Sequence, residues 1–340
     1  MTELEDRDTV IRLIGGYMVS NAIRAAGSLG LFALADIDGG VSVDDAARAA
    51  GIDTDRLTRL IHLLQHAGLV GPSEDRINLT SQGRLLVPGR EGSLSNFAQN
   101  FTSPLFQRPW DLLEDSLRTG TPGFVLTHQQ TVYDYFASDD AANTLFNDAM
   151  QEEAAATARP AAMLISLAPD ETVVDLGGGD GTFLTTLLQA NSSATGIVFD
   201  SSAGVANAPH VIERAGVADR CTSQGGDFFT TIPRTGTTYI LKSVLQDWDD
   251  DHVLQLLRTC AEQIPEGARL IIIGNFIPDT FEDDAAVGYL TDLCMLVISG
   301  GRERTIADLR RLLGAAGLPT TSLSQRRIGP LIAVELTNAA

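Results

Sequence analysis

The sequence predicts an α/β protein in which a doubly wound, mostly parallel sheet follows a helical domain of winged-helix outline. Three observations carry that reading. Apolar residues recur at helical spacing from Asp8 to about Leu34; the stretch from Val41 to Val87 has the caps and turns of two short helices and a wing; and after Pro169 short β-rich runs alternate with helical stretches. At 340 residues with a hydrophobic fraction of 44%, the chain has the material for two ordinary cores.

The elements follow in order. Val10, Ile11, Leu13, Ile14, Met18, Val19, Ala22 and Ile23 leave the first helix with little polar relief, so it needs cover on most sides, and a partner subunit is one way to supply it. Ser42 is placed to cap a helix with Asp45 at its third position, Gly51 to end it, and Asp53 or Thr54 to cap the next; "LVGPSEDRINLT" reads as a two-stranded wing. DNA contact by this unit would need cations, yet Arg56 and Arg59 stand among Asp44, Asp45, Asp53 and Asp55 in a chain of net charge −20. Like charge repels phosphate, so nucleic acid and anionic membrane are not expected partners, and the unit is expected to serve packing and dimerisation. Ser93 to Ala168 is mostly helical, broken at "RTGTPGF"; the runs "TVVDL", "ATGIVFD", "TTYILK" and "ARLIIIGNF" then read as parallel strands. The expected division is a helical winged-helix domain over 1–105, connecting helices that contribute to a substrate pocket over 106–160, and the sheet domain over 161–340. No apolar run reaches the roughly 20 residues of a membrane span, and the acidic start "MTELEDRDTV" is unlike a secretory signal, so a cytoplasmic protein is expected. Cys221, Cys260 and Cys294 lack the CxxC spacing of a zinc or redox site, which predicts buried thiols and no metal.

The strongest local signal is "VVDLGGGDGTFL", a strand running through glycines into a helix. Glycines at such a bend let backbone approach a ligand beside helix N-terminal amides. The dinucleotide pattern GxGxxG fails, because Thr182 and Leu184 stand where its last glycine would fall; Gly177, Gly179 and Gly181 form GxGxG instead, preceded by Asp175. An acid there is unwelcome to a pyrophosphate but suits a ligand carrying an ammonium and a sulfonium, as S-adenosylmethionine does. Asp200, closing the second strand in "VFD", is placed to accept both ribose hydroxyls, and Asp227 with Phe228 in "GGDFF" to meet the amino group and ring of adenine. A purely structural turn is the competing reading of the loop, and turn aspartates are common enough that Asp227 alone decides little.

With those blocks, "LKSVLQDWDDDHVLQLLRTC" and "DLCMLVISGGRERTIADLRRLLGAAGL", the chain resembles over nearly its whole length the two-domain S-adenosylmethionine-dependent O-methyltransferases of plant phenolic and bacterial polyketide metabolism. The resemblance implies a Rossmann-like cofactor domain, Asp200 on the ribose, Asp227 and Phe228 on the adenine, Lys242 and Trp248 at the adenine end, and two subunits interlocked through the N-terminal helices.

At the catalytic positions the chain departs from that pattern. Gln246 stands where many relatives have a histidine that deprotonates the acceptor, Gly274 where they have a glutamate, and Cys294 where asparagine is usual, while the remaining acid is kept as Glu303. A glutamine holds but does not titrate. The catalytic candidates are therefore Gln246 and Glu303, with His128, in a segment the resemblance puts at the substrate cleft, as a further contact. His252 reads as a solvated residue in a helix first turn, and His62, His66 and His210 as structural. The expectation is in-line methyl transfer to a small aromatic or polyketide-like acceptor by positioning, the acceptor being acidic, such as a carboxylate or a carbonyl-conjugated phenol, or a nucleophilic carbon. The alternative keeps S-adenosylmethionine as a bound cofactor for decarboxylation, hydroxylation or ring closure, and a ligand-sensing winged-helix regulator is a third possibility. Phe101, Phe106, Trp110, Phe124, Tyr133 and Phe136 are candidates for pocket or core.

Overall fold

The computed structural model describes residues 3–338 apart from 283, 284, 322, 329 and 330. The chain divides into two compact units: Met1–Gln107 with Thr144–Glu153, and Arg108–Asn143 with Ala154–Ala340.

In the first unit the apolar N-terminal stretch forms two helices, Glu3–Ile14 and Gly16–Ser28, followed by a short third, Leu31–Ala35. The break falls at Gly15–Gly16, where adjacent glycines remove the side chains that favour helix over coil. Ser42 accepts from the Asp45 amide to cap Val43–Ala50, Gly51 ends that helix in the left-handed region, and Asp53 accepts from Arg56 to cap Thr54–His66. Strands β1 (Val41–Ser42) and β2 (Arg76–Ile77) pair antiparallel, and Val70 bridges Leu79 across the intervening turn. Ala26, Leu31, Phe32, Leu57, Ile61, Leu64 and Ile77 make the core of this unit. By contrast Leu4, Val10, Ile11, Leu13, Ile14, Tyr17 and Met18 are more than half exposed.

The second unit is built on a seven-stranded sheet: β3 (Thr172–Leu176), β4 (Thr195–Asp200), β5 (Cys221–Gly225), β6 (Thr238–Lys242), β7 (Arg269–Gly274), β8 (Ser324–Ile328) and β9 (Leu331–Thr337). Its order is 5-4-3-6-7-9-8; the pairings from β5 through β4, β3 and β6 to β7 are parallel, while β9 pairs antiparallel with both β7 and β8. The order reverses between β3 and β6, and in such sheets the crevice at the carboxyl ends of the strands on either side of the reversal is where ligands bind. Two clusters of buried side chains cover the two faces. One joins Leu176, Tyr239, Leu256 and Leu309; the other joins Val173, Leu184, Ile240 and Ile271. Cys221 and Cys260 are buried free thiols and Cys294 is half-buried. Phe124 and Phe136 are core residues of this unit, as Phe106 is of the first.

Candidate active site

The loop after β3 bends as its glycines require. Gly177, Gly179 and Gly181 have φ of +74°, +54° and +80°, conformations costly for any residue with a Cβ. A Cβ on Gly177 would press on Val244 and one on Gly181 on Val198, whereas Gly179 faces open space. The loop therefore presents bare backbone at one point and is packed shut at the others. The Thr182–Ala190 helix starts directly after it.

Two carboxylates frame the loop. Asp200 closes β4 and accepts from the Gly179 amide (3.0 Å, Oδ2) and the Ser201 amide (2.6 Å, Oδ1), which orients the carboxyl; burial nevertheless raises its pKa. Asp175 lies under Gly178, whose Cβ would come 2.8 Å from Oδ2, and is 1% exposed. That Oδ2 is buried without a hydrogen-bond donor. Burial pushes the Asp175 carboxyl up to about 7, with Lys242 pulling it down and Asp200 and Asp180 pushing it further up. A buried acid atom without a donor, under a glycine loop whose Gly179 has open space before it, fits a ligand that brings its own positive charge.

Aromatic side chains border the same edge. The Phe228 ring would touch a Cβ on Gly177 at 3.7 Å and meets Trp248 edge-on at 6.3 Å. Tyr133 stacks on Trp248 with ring centroids 5.2 Å apart at 12°. Asp227 is exposed and spends Oδ1 on the Phe229 amide, which fixes the turn that presents Phe228. The Lys242 ammonium lies 6.0 Å from the Phe183 ring centroid, on the side of the strand that faces Asp175.

After β6 the chain makes a short 3₁₀ turn, Leu245–Asp247, carrying Gln246. Arg304, 3% exposed, holds that turn from behind. Its guanidinium donates to the Leu245 carbonyl, to the Trp248 carbonyl (2.8 Å) and through Nε and Nη2 to Asp250 Oδ1 (3.0 and 2.9 Å). Gly301 lies so close that a Cβ would overlap the Gln246 carbonyl oxygen and the Trp248 amide. Glu303, next to Arg304, is 3% exposed, and its amide donates to Asp292 (2.8 Å). Burial first, then the charges of Asp247 and Asp292, push its carboxyl up to about 7 against the opposing pull of Thr291 and Arg304. A cavity of about 20 Å³ lies among Gln246, Gly274, Asn275, Glu303 and Arg304, enough for about one water molecule. A Cβ at Gly274 would meet nothing closer than 3.9 Å from Gln246 Oε1, so the backbone admits a larger residue there.

The structure thus brings Asp175, the three loop glycines, Asp200, Phe228, Lys242 and Trp248 to one edge of the sheet, with Gln246 and Glu303 around the cavity at the end of β7. His128 belongs to another cluster, its ring 4.5 Å from Phe124 and 5.4 Å from Tyr135. His252 bonds Asp249 through Nδ1 at 2.7 Å. Two residues of this edge carry no signal in the sequence, Arg304 and Asp247, whereas Tyr133, a candidate for pocket or core, stacks on Trp248.

Residues 110–319 match the O-methyltransferase domain, and residues 11–89 match the O-methyltransferase dimerisation domain. The chain belongs to the two-domain O-methyltransferases. This methyltransferase is 34% identical over 328 residues to the O-demethylpuromycin-O-methyltransferase of Streptomyces alboniger, covering 93% of this chain and 84% of the relative. Among solved structures it superposes on the mitomycin 7-O-methyltransferase with a TM-score of 0.88 at 29% identity, over 99% of this chain and 98% of the other. An O-methyltransferase from neocarzinostatin biosynthesis, in complex with S-adenosylmethionine and 2-hydroxy-5-methyl naphthoic acid, aligns with a TM-score of 0.75 at 28% identity, over 94% and 95% of the two chains. S-adenosylmethionine is the methyl donor, and methyl transfer is the enzyme's activity rather than the non-methylating use of the cofactor.

Proposed function

We propose that the enzyme methylates a hydroxyl group on a small, flat aromatic or polyketide-like acceptor. In this reading the glycine loop and Asp175 receive the amino-acid end of S-adenosylmethionine, Asp200 its ribose hydroxyls, and Asp227, Phe228, Lys242 and Trp248 its adenine end. When bound, that cofactor supplies an electrophilic methyl carbon on a positively charged sulfur. Gln246 holds the acceptor, its amide able to donate to a carbonyl or accept from a hydroxyl. Glu303 flanks it from behind the cavity, and His128 contributes to the aromatic wall. The observation that carries the assignment is the Asp200 carboxyl, fixed by the Gly179 and Ser201 amides beside a loop glycine with open space in front of it.

The same reading makes the protein a cytoplasmic homodimer joined through the dimerisation domain. The exposed apolar residues of the first two helices are the surface that a second copy would cover. Among the described residues no helix is long and apolar enough to cross a membrane. Calorimetry with S-adenosylmethionine and S-adenosylhomocysteine, followed by methyl-labelled cofactor with an extract of the producing organism, tests the proposal. Binding of both, with label in a small aromatic ether, is expected; binding with no labelled product, or with label on carbon or nitrogen, would refute the acceptor assignment.

A further inference from the structure

A methyltransferase with glutamine at the expected base position still has to dispose of the acceptor's proton. The residue next along is Asp247, the last residue of the Leu245–Asp247 turn. Its surroundings set it apart from the other acids of "QDWDDD". Asp249 caps the following helix by accepting from the His252 amide, and Asp250 is held by Arg304 and Arg311. Asp251 lies in the first turn of that helix. Among the described residues the Asp247 carboxyl has no hydrogen-bond donor and no cation, although the residue is half-buried. The titratable groups that feel its charge come from three other elements: Tyr133 on the Val132–Ser138 helix, Cys294 on the Ala286–Ile298 helix, and Glu303 in the segment after it. Asp200, at the end of β4, acts on it in turn. A carboxylate without a partner, on a turn clamped by Arg304 and Gly301 and flanked by Tyr133, Cys294, Glu303 and Asp200, is preorganised for a proton-carrying ligand.

We infer that Asp247 is the general base of the reaction, taking the proton of the acceptor hydroxyl that Gln246 holds. The inference rests on the methyl-transfer reading above. The acceptor's O–H bond breaks, its proton passes to a carboxylate oxygen of Asp247, and the electron pair left on the acceptor oxygen forms the bond to the methyl carbon. The carbon–sulfur pair stays on sulfur, and Asp247 returns its proton to solvent as product leaves. Burial, then the charge of Asp200, places the carboxyl at about 7, which is where a base working near neutrality is most effective. Glu303 is the weaker candidate because it is shut in at 3% exposure and has Arg304 beside it to hold its charge.

The test uses the full-length enzyme, methyl-labelled S-adenosylmethionine, and two phenols of similar size: phenol itself and 4-nitrophenol, whose hydroxyl ionises about three pKa units lower. Asp247→Asn is nearly isosteric and is expected to keep S-adenosylmethionine binding and the melting temperature. It should lower kcat/KM for phenol by about 10²–10⁴-fold, abolish the inflection near neutral pH, and cost at most a few-fold with 4-nitrophenol once that acceptor is ionised. Asp247→Glu should recover part of the phenol rate. Equal losses with both phenols would mean that Asp247 positions the acceptor without taking its proton, and an unchanged phenol rate would remove it from the site; either overturns the inference. Failure of the wild type to label any acceptor, with S-adenosylmethionine bound, would instead overturn the O-methylation proposal on which it stands.

Discussion

The Asp175 carboxyl makes cofactor binding depend on pH in a direction that the structure fixes. In the unfolded chain this acid ionises near its ordinary value of 3.8; in the fold, burial against an orphaned Oδ2 holds it at about 7. A raised folded value means that the fold favours the neutral form. The associated stability is fully present below the unfolded pKa and is lost as pH rises through about 7. A rise from 3.8 to about 7 corresponds to roughly 4 kcal/mol at most. A cation bound beside Asp175 reverses the preference, because it stabilises the ionised acid. Binding S-adenosylmethionine must then release a proton wherever the free enzyme is still protonated and the complex is not. Calorimetry at about pH 6, in buffers of different ionisation enthalpy, should show net proton release of up to about one. Affinity should climb by as much as about tenfold per pH unit on approaching neutrality and flatten above it. Asp175→Asn removes the titrating group, so its share of the proton release and of the slope should vanish while the variant stays folded. Affinity independent of pH below neutrality in the wild type, or an undiminished slope in the variant, would refute the placement of positive charge at Asp175.

Arg304→Met should be among the most destabilising single changes in the second unit, by roughly 3–5 kcal/mol in thermal melts, because it strands the Leu245 and Trp248 carbonyls and leaves Asp250 with Arg311 alone. Gly179→Ala should cost about 1–3 kcal/mol of strain at its positive φ without a steric clash, yet weaken S-adenosylmethionine binding in calorimetry, whereas Gly177→Ala should lose both binding and more stability because its Cβ meets Val244. Ile14→Asp, on the exposed apolar surface of the first helix, should shift sedimentation from dimer to monomer. In binding competition salicylamide should occupy the acceptor site more tightly than salicylate, since Asp247, Glu303 and Asp200 gather there.

Where one residue type in one place has one physical use, the sequence was readable. A strand running into GxGxG with an acid before it, and a second strand ending in aspartate, led to the bend that brings Asp175, Gly179 and Asp200 together. The caps at Ser42 and Asp53 were legible for the same reason, being side chains with a single backbone target. Other features were masked by composition. Four strands were read where the sheet has seven. β5 is "CTSQG" and β8 is "SQRRI", polar edge strands with no apolar alternation to announce them. Asp247 was hidden among four acids within five residues, and only the partners of the others single it out. Arg304 was passed over because its importance lies in carbonyls that sequence does not show.

The departures at Gln246, Gly274 and Cys294 are then best seen together. The resemblance led to a histidine as base, and its absence pointed to an acceptor that arrives already acidic, a carboxylate among them. The structure weakens that step at its premise. Arg304 is engaged by the backbone and Asp250 and also acts on Glu303, and Lys242 pulls on Asp175, so that among the described residues Asp247 is left without a cation. Three acids near Gln246, at Asp200, Asp247 and Glu303, all have their pKa raised, and a fourth negative charge on the acceptor would have to be buried among them at a cost that no hydrogen bond from a glutamine repays. A neutral acceptor that gives up its proton inside the site avoids that cost, and the same acids that repel a carboxylate include one, Asp247, with a free oxygen to receive the proton. Substituting glutamine for histidine therefore moves the titrating group by one residue along the turn and favours acceptors that enter with their proton over those that enter as anions.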